Sequence, residues 1–94
     1  MNDQQIIALY CQRSEAAIYE SQRKFDAYCR SIIFRILGSY EDTEECLSDT
    51  YLRAWNNIPI SKPRNLKAYF GSVARHLALD RYRAANAKRR KALI

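Results

Sequence analysis

The sequence predicts an all-α fold, a compact bundle of three to four helices, and three observations carry that expectation. The 94 residues contain only two glycines and two prolines, too few turn-formers for a sandwich or barrel with many hairpins. Apolar residues recur at steps of three, four and seven over long stretches, which is the period of an amphipathic helix. The composition, 48% hydrophobic and 28% charged, is that of a globular chain and not of a disordered or membrane-spanning one. A chain of this length has room for one domain with one modest core.

A first short helix is expected over residues 3–12, with Ile6, Ile7 and Tyr10 on one side. Ser14 is placed to cap a second helix over 15–37, where Ile18, Phe25, Cys29, Ile32 and Ile36 form a continuous stripe and Gly38 supplies the stop. A third helix is expected over 42–57. Asp42 followed by Glu45 has the spacing of an N-cap and its capping-box partner, and acids there suit the positive end of the helix dipole. Leu47, Tyr51, Ala54, Trp55 and Ile58 share the face that would pack on the second helix. Pro59 and Pro63 predict a loop over 58–65, because proline removes a backbone donor and biases the preceding residue away from helix. Asn65 can cap a fourth helix over 66–90, whose core stripe is Leu66, Tyr69, Phe70, Val73 and Leu77.

The net charge of +6 is unevenly distributed. Residues 1–57 hold six basic against nine acidic side chains, whereas residues 58–94 hold ten basic against a single acid, Asp80. Such a division suggests two partner surfaces, the basic one suited to phosphates. Cys11, Cys29 and Cys46 lie far apart with no CxxC and one histidine in the chain, which is not a metal-ligand spacing. They are expected as small core residues in a reducing compartment. No signal peptide or long apolar run is present, so a cytoplasmic location is expected.

On the third helix, away from the core face, Glu45, Asp49, Leu52 and Asn56 follow one another at steps of four, three and four, flanked by Ser48 and Arg53. A leucine among acids and amides fits a docking stripe for a partner helix; a solvated face is the other explanation. The predicted loop carries Ser61, Lys62, Arg64 and Asn65. Beyond it, Lys67, Gly71, Ser72, Arg75, Ala78, Tyr82, Arg83, Asn86, Arg89 and Arg90 fall mostly on the side of the fourth helix away from its stripe. Gly71, Ser72 and Ala78 would let a phosphate backbone approach, the arginines supply charge, and Tyr82 offers a ring on which a base could stack. His76 and Asp80 are expected at the core edge, His76 as a hydrogen-bonded structural residue and Asp80 as an arginine partner holding helix packing. The run from Lys88 to Lys91 adds non-specific electrostatics. A phosphate-binding glycine loop, a metal-ligand cluster and a nucleophile with its base are all missing from the sequence, so neither an enzyme nor a cofactor is implied.

The segment from Tyr40 to Trp55, YEDTEECLSDTYLRAW, followed by a short loop and then the segment from Tyr69 to Arg83, YFGSVARHLALDRYR, resembles conserved region 2 of bacterial RNA polymerase sigma factors. Within the sigma-70 family it is most similar to the small extracytoplasmic-function group. Thr43, Glu44, Glu45 and Ser48 stand where that family commonly has Ala-Glu-Asp and a glutamine. Tyr69 and Phe70 replace a common Trp-Leu, and His76 a common asparagine. The resemblance implies a transcription initiation factor domain that docks on core RNA polymerase and recognises and melts the promoter −10 element. It assigns Glu45, Ser48, Asp49, Leu52, Arg53 and Asn56 to the clamp helices of the polymerase beta-prime subunit. It makes residues 60–65 the segment that receives a flipped base, through Ser61, Lys62, Arg64 and Asn65. Lys67, Arg75, Tyr82 and Arg83 would hold the melted strand and adjacent duplex, with Arg89 adding charge. An anti-sigma factor is a further partner class for such domains. The family normally adds a second helix-turn-helix domain that reads the −35 element, so the resemblance implies that these residues are part of a longer factor. The competing explanation is a helical adaptor that binds protein through its acidic helix and does not recognise DNA specifically.

Overall fold

The computed structural model describes residues 1–92, with side chains described as far as Arg90. Four helices follow in order, α1 (Asp3–Cys11), α2 (Ala16–Leu37), α3 (Tyr40–Ser61) and α4 (Leu66–Ala92). The all-α bundle expected from the sequence is what the chain forms. α2 packs against α1, α3 and α4, and its buried residues Phe25, Cys29 and Ile33 lie at the centre.

Local chemistry explains most of the helix ends. Asn2 and Gln5 exchange hydrogen bonds, each side chain accepting from the other's backbone N–H at 2.9 Å, which closes a capping box on α1. The cap expected at Ser14 is not formed: Glu15 is the N-cap of α2 and makes no side-chain cap bond, while Ser14 Oγ accepts only from the Ala16 N–H at 3.3 Å. Gly38 ends α2 in the left-handed conformation, φ +66°, with its N–H bonded to the Phe34 carbonyl at 2.8 Å.

α3 departs from expectation at both ends. Ser39, not Asp42, is its N-cap: Ser39 is extended and its hydroxyl accepts from the Asp42 N–H, so Glu41 and Asp42 already sit in the first helical turn. The helix also continues through Pro59 to Ser61, and the predicted loop over 58–65 shrinks to residues 62–65. Proline in the last turn costs one intrahelical bond, that from residue 59 to the Trp55 carbonyl. The Arg13 guanidinium donates to that carbonyl at 2.5 Å instead.

The core stripe of α4 is rotated relative to the one expected. Leu66, Phe70, Ala74 and Ala78 are fully buried, whereas Tyr69, Val73 and Leu77 are only half-buried. Small residues on this stripe let α4 approach α2 closely. At Gly71 an added Cβ would lie 2.7 Å from the Tyr28 hydroxyl, so the ring of Tyr28 fills the space a side chain would need. Gly71 and Ala78 therefore serve helix packing and are not open to a phosphate backbone.

Two tyrosine hydroxyls are paired across helices, whereas the buried Thr50 hydroxyl bonds back to the Cys46 carbonyl and the buried Tyr69 hydroxyl has no partner among the described residues. Tyr10 donates to Ser21 Oγ at 2.7 Å and Ser21 in turn donates to the Ala17 carbonyl at 2.8 Å. Tyr51 donates to Asp26 at 2.8 Å, and Asp26 also receives Arg30, whose guanidinium reaches on to Glu44 of α3. Burial pushes the Tyr10 phenol up to about 12 and the Cys29 thiol up to about 12. Cys29 and Cys46 are core residues as expected, but Cys11 is exposed at the end of α1.

Asp3 ties the start of α1 to the start of α4. Its carboxylate accepts from the Leu66 N–H, the first of α4, at 3.0 Å, and pairs with Lys24 at 3.2 Å. The Leu66 backbone bond, helped by Lys24 and opposed by burial, holds the Asp3 carboxyl below its ordinary value. A carboxylate depressed in the folded state stabilises the fold above its unfolded pKa of about 3.9, and that contribution is lost as pH falls through the folded pKa. Asp3→Ala is thus expected to cost about 1 kcal/mol at pH 7, the scale of a lost helix cap. Urea titrations at pH 7 and pH 3 should show the gap between wild type and variant narrowing in acid. A gap of unchanged size would show that the carboxylate's charge is not what holds α4.

Candidate functional site

The acidic face of α3 is laid out as its spacing predicts. Glu45, Ser48, Asp49, Leu52, Arg53 and Asn56 are all exposed, on the side of the helix opposite the buried Leu47, Tyr51, Ala54 and Ile58. Leu52 is 59% exposed and stands as a ridge between two depressions. On one side, Asp49, Leu52, Arg53, Asn56 and Leu77 line a shallow groove of about 310 Å³ between α3 and α4. On the other, a wider groove of about 640 Å³ between α2 and α3 is lined by Ile18, Tyr19, Ser48, Tyr51, Leu52 and Trp55, among others. Tyr19 is 60% exposed there, so an apolar strip crosses the face beside the acids.

One residue of this face was missed by sequence reasoning. Arg81 of α4 reaches across to α3, with Nη1 3.0 Å from Glu45 Oε2 and Nη2 2.6 Å from Asp49 Oδ2. The two acids hold Arg81 still more firmly in its charged form. Its signal was its position: at 100° per residue Arg81 falls between Ala74 and Leu77 around α4, next to the core stripe, which makes it a cation on the flank facing α3.

The basic surface begins where α3 ends. Ser61, Lys62, Arg64 and Asn65 are all exposed, and Lys62 is held in the left-handed region at φ +42° with its N–H bonded to the Ile58 carbonyl at 2.9 Å. Asn65 caps α4, its Oδ1 accepting from the Ala68 N–H at 3.1 Å, so its amide nitrogen is the group left for a ligand. Lys67, Arg75, Tyr82 and Arg89 fall within about 80° of one another around α4, and all four are exposed. The Lys67 ammonium lies 4.9 Å from the centre of the Tyr28 ring. Arg83 is turned away from this group by roughly another 80°. Two expectations fail here. His76 and Asp80 are solvent-exposed and pair with each other at 3.4 Å, and Asp80 meets Arg83 at 3.6 Å within α4, so Asp80 does not hold helix packing. The helical periodicity put both at the core edge only because the stripe was drawn too far towards Val73 and Leu77. Of the basic tail, Lys91 lies outside the residues whose side chains are described.

Among the described residues no group of three or more His, Cys, Asp and Glu side chains is arranged to hold a metal ion, and no helix is long and apolar enough to cross a membrane. What the surface offers is recognition: an acidic, leucine-bearing face on α3 and a basic loop and helix beside it, held on one bundle. Residues 19–88 match the family profile Sigma-70 region 2. The chain belongs to that family. No curated protein and no solved structure matches it significantly. As a sigma-70 region 2 domain it is a helical, non-catalytic part of a transcription factor, and its general activity is to bind RNA polymerase and recognise promoter −10 DNA. The match covers α3, the loop and nearly all described side chains of α4, but it leaves out α1 and the turn that follows it.

Proposed function

We propose that this sigma-70 region 2 domain belongs to the extracytoplasmic-function group and acts in the cytoplasm with two separate surfaces. The face of Glu45, Ser48, Asp49, Leu52, Arg53 and Asn56 docks on the beta-prime clamp helices of core RNA polymerase. Ser61, Lys62, Arg64 and Asn65 receive a base extruded from the −10 element, while Lys67, Arg75, Tyr82, Arg83 and Arg89 hold the melted strand and the flanking duplex. The observation that carries this reading is the segregation of charge. The acids of α3 and the cations of the loop and α4 are presented side by side by a packed bundle, so one protein partner and one anionic partner can be engaged together.

The physical roles differ along the basic surface. Extruding a base costs a few kcal/mol, which hydrogen bonds to its edge and stacking must recover. Ser61 and the free amide of Asn65 are suited to a base edge, Lys62 and Arg64 to phosphates, and the half-exposed ring of Tyr82 to stacking. Each phosphate neutralised on a single strand contributes about −0.7 to the slope of log K against log salt.

Binding of −10-like and scrambled single-stranded oligonucleotides, measured by fluorescence anisotropy with polymerase present, tests the reading. Arg75→Ala is expected to weaken both sequences alike, by about threefold to tenfold, and to reduce the salt slope by about 0.7. Asn65→Ser keeps an oxygen to cap α4 while removing the amide, so it should lower discrimination between the two sequences and leave the scrambled affinity nearly unchanged. A wild-type chain with no sequence preference in complex with polymerase would contradict the loop assignment and favour an adaptor that binds protein alone.

A further inference from the structure

We propose that Arg13, in the turn between α1 and α2, is a positioning residue for the DNA-reading loop. It rebuilds the hydrogen bond that Pro59 removes from the last turn of α3. This rests on the reading of residues 60–65 as the base-receiving segment.

Pro59 leaves α3 short of one donor. In a regular helix the N–H of residue 59 would bond to the carbonyl of residue 55, but proline has no N–H, and its ring also crowds the carbonyl four residues back. Such a site ordinarily ends or kinks a helix. Here α3 instead runs on for two residues beyond Pro59, to Ser61. The Trp55 carbonyl is engaged by Arg13 Nη1 at 2.5 Å. The same guanidinium lies 3.9 Å from the centre of the Trp55 ring, so one side chain grips both the backbone and the side chain of residue 55. Its own backbone is in the left-handed region, φ +56°, which is uncommon for a residue other than glycine. That conformation is held by the Arg13 N–H on the Tyr10 carbonyl and the Ser14 N–H on the Leu9 carbonyl, both at 3.0 Å. A strained turn, itself anchored to α1, thus aims the arginine at α3.

The consequence falls on the loop. The turn that Arg13 completes, residues 55–59, leads directly into the one in which the Ile58 carbonyl receives the Lys62 N–H and Lys62 takes its left-handed conformation. The directions in which Ser61 and Lys62 leave α3 are set by that turn. Arg13 acts on them through Trp55 and does not itself belong to the basic surface. It also lies outside the residues that match the family profile, so the device is contributed by the part of the chain that this pattern does not describe.

The test is a double-mutant cycle in the whole chain, because Pro59→Ala restores an N–H to the Trp55 carbonyl and should make Arg13 dispensable. Arg13→Ala alone is expected to reduce discrimination between −10-like and scrambled oligonucleotides about fivefold, with affinity for polymerase nearly unchanged. In the Pro59→Ala background the same substitution should cost less than twofold. Arg13→Lys should recover part of the loss, since an ammonium can donate but cannot lie flat on the indole. Trp55 is the single tryptophan of the sequence, so its fluorescence reports the contact independently of DNA. Arg13→Ala should shift its emission in both backgrounds. Equal loss of discrimination in the two backgrounds, or a melting temperature that falls in step with discrimination in every variant, would overturn the positioning role. Preserved discrimination in Arg13→Ala overturns the Arg13 role alone, whereas a wild-type chain that shows no preference overturns the loop reading with it.

Discussion

Phe70→Ala is expected to lower the free energy of unfolding by about 4 kcal/mol, the cost of truncating a fully buried phenylalanine when the surroundings relax only partly. Phe70 has no exposed surface. Its ring stacks on Phe25 of α2 with centroids 5.2 Å apart, lies 5.9 Å from Tyr51 of α3, and meets Tyr69 edge-on at 5.6 Å. One side chain therefore joins three helices. Its neighbours on α4 make the loss hard to repair, because Gly71, Ala74 and Ala78 are too small to fill the space and are already packed against other helices. Small domains have total stabilities of about 5–15 kcal/mol, so the variant would sit near the folding threshold. The melting temperature followed by circular dichroism should fall by roughly 15–30 °C for a domain of this size. Phe70→Leu, which keeps most of the volume, should lose far less. A fall of only a few degrees in Phe70→Ala would mean that α4 is held elsewhere, and the Asp3 cap on Leu66 would then be the first place to look.

The comparison of sequence with structure separates what periodicity carries from what tertiary contact adds. Helical spacing placed all four helices, the acidic stripe of α3 and the exposure of Leu52, because these depend on which side chains share a face. It misplaced features decided by a partner from another element. Pro59 reads as a helix stop on its own, yet the helix continues, with the Trp55 carbonyl taken by a donor from Arg13, 46 residues earlier in the chain. Asp42 reads as a cap, but Ser39 with its extended backbone takes that role. Gly71 and Ala78 read as room for a phosphate, but Tyr28 of α2 fills the space at Gly71 and Ala78 is fully buried. Arg81 went unread for the same reason. Its place around α4 marks it as a cation beside the core stripe, but that it meets Glu45 and Asp49 follows only from how α4 crosses α3.

That crossing shapes the second large expected effect. Asp49→Arg should weaken binding to a beta-prime clamp-helix fragment by about a hundredfold, or about 2.8 kcal/mol at 1.4 kcal/mol per tenfold. The charge reversal removes an acid at the centre of the face and puts a cation beside Leu52. Taken alone the result is ambiguous, because Asp49 lies 2.6 Å from Arg81 and the variant would also set two arginines against each other inside the domain. The pair is exposed, with half of the Asp49 side chain open to water, so the internal penalty should be small and screened by salt. The swap Asp49→Arg with Arg81→Glu separates the two causes. It restores opposite charges across α3 and α4 and should return the melting temperature to near the wild-type value, while clamp binding stays weak because α3 still presents the wrong sign. Recovery of clamp binding in the swapped protein would mean that the polymerase contact depends on the interhelical pair and not on the acid of α3. In that case neither charge alone but their opposition across α3 and α4, seen in the Arg81–Asp49 contact, is what docking requires.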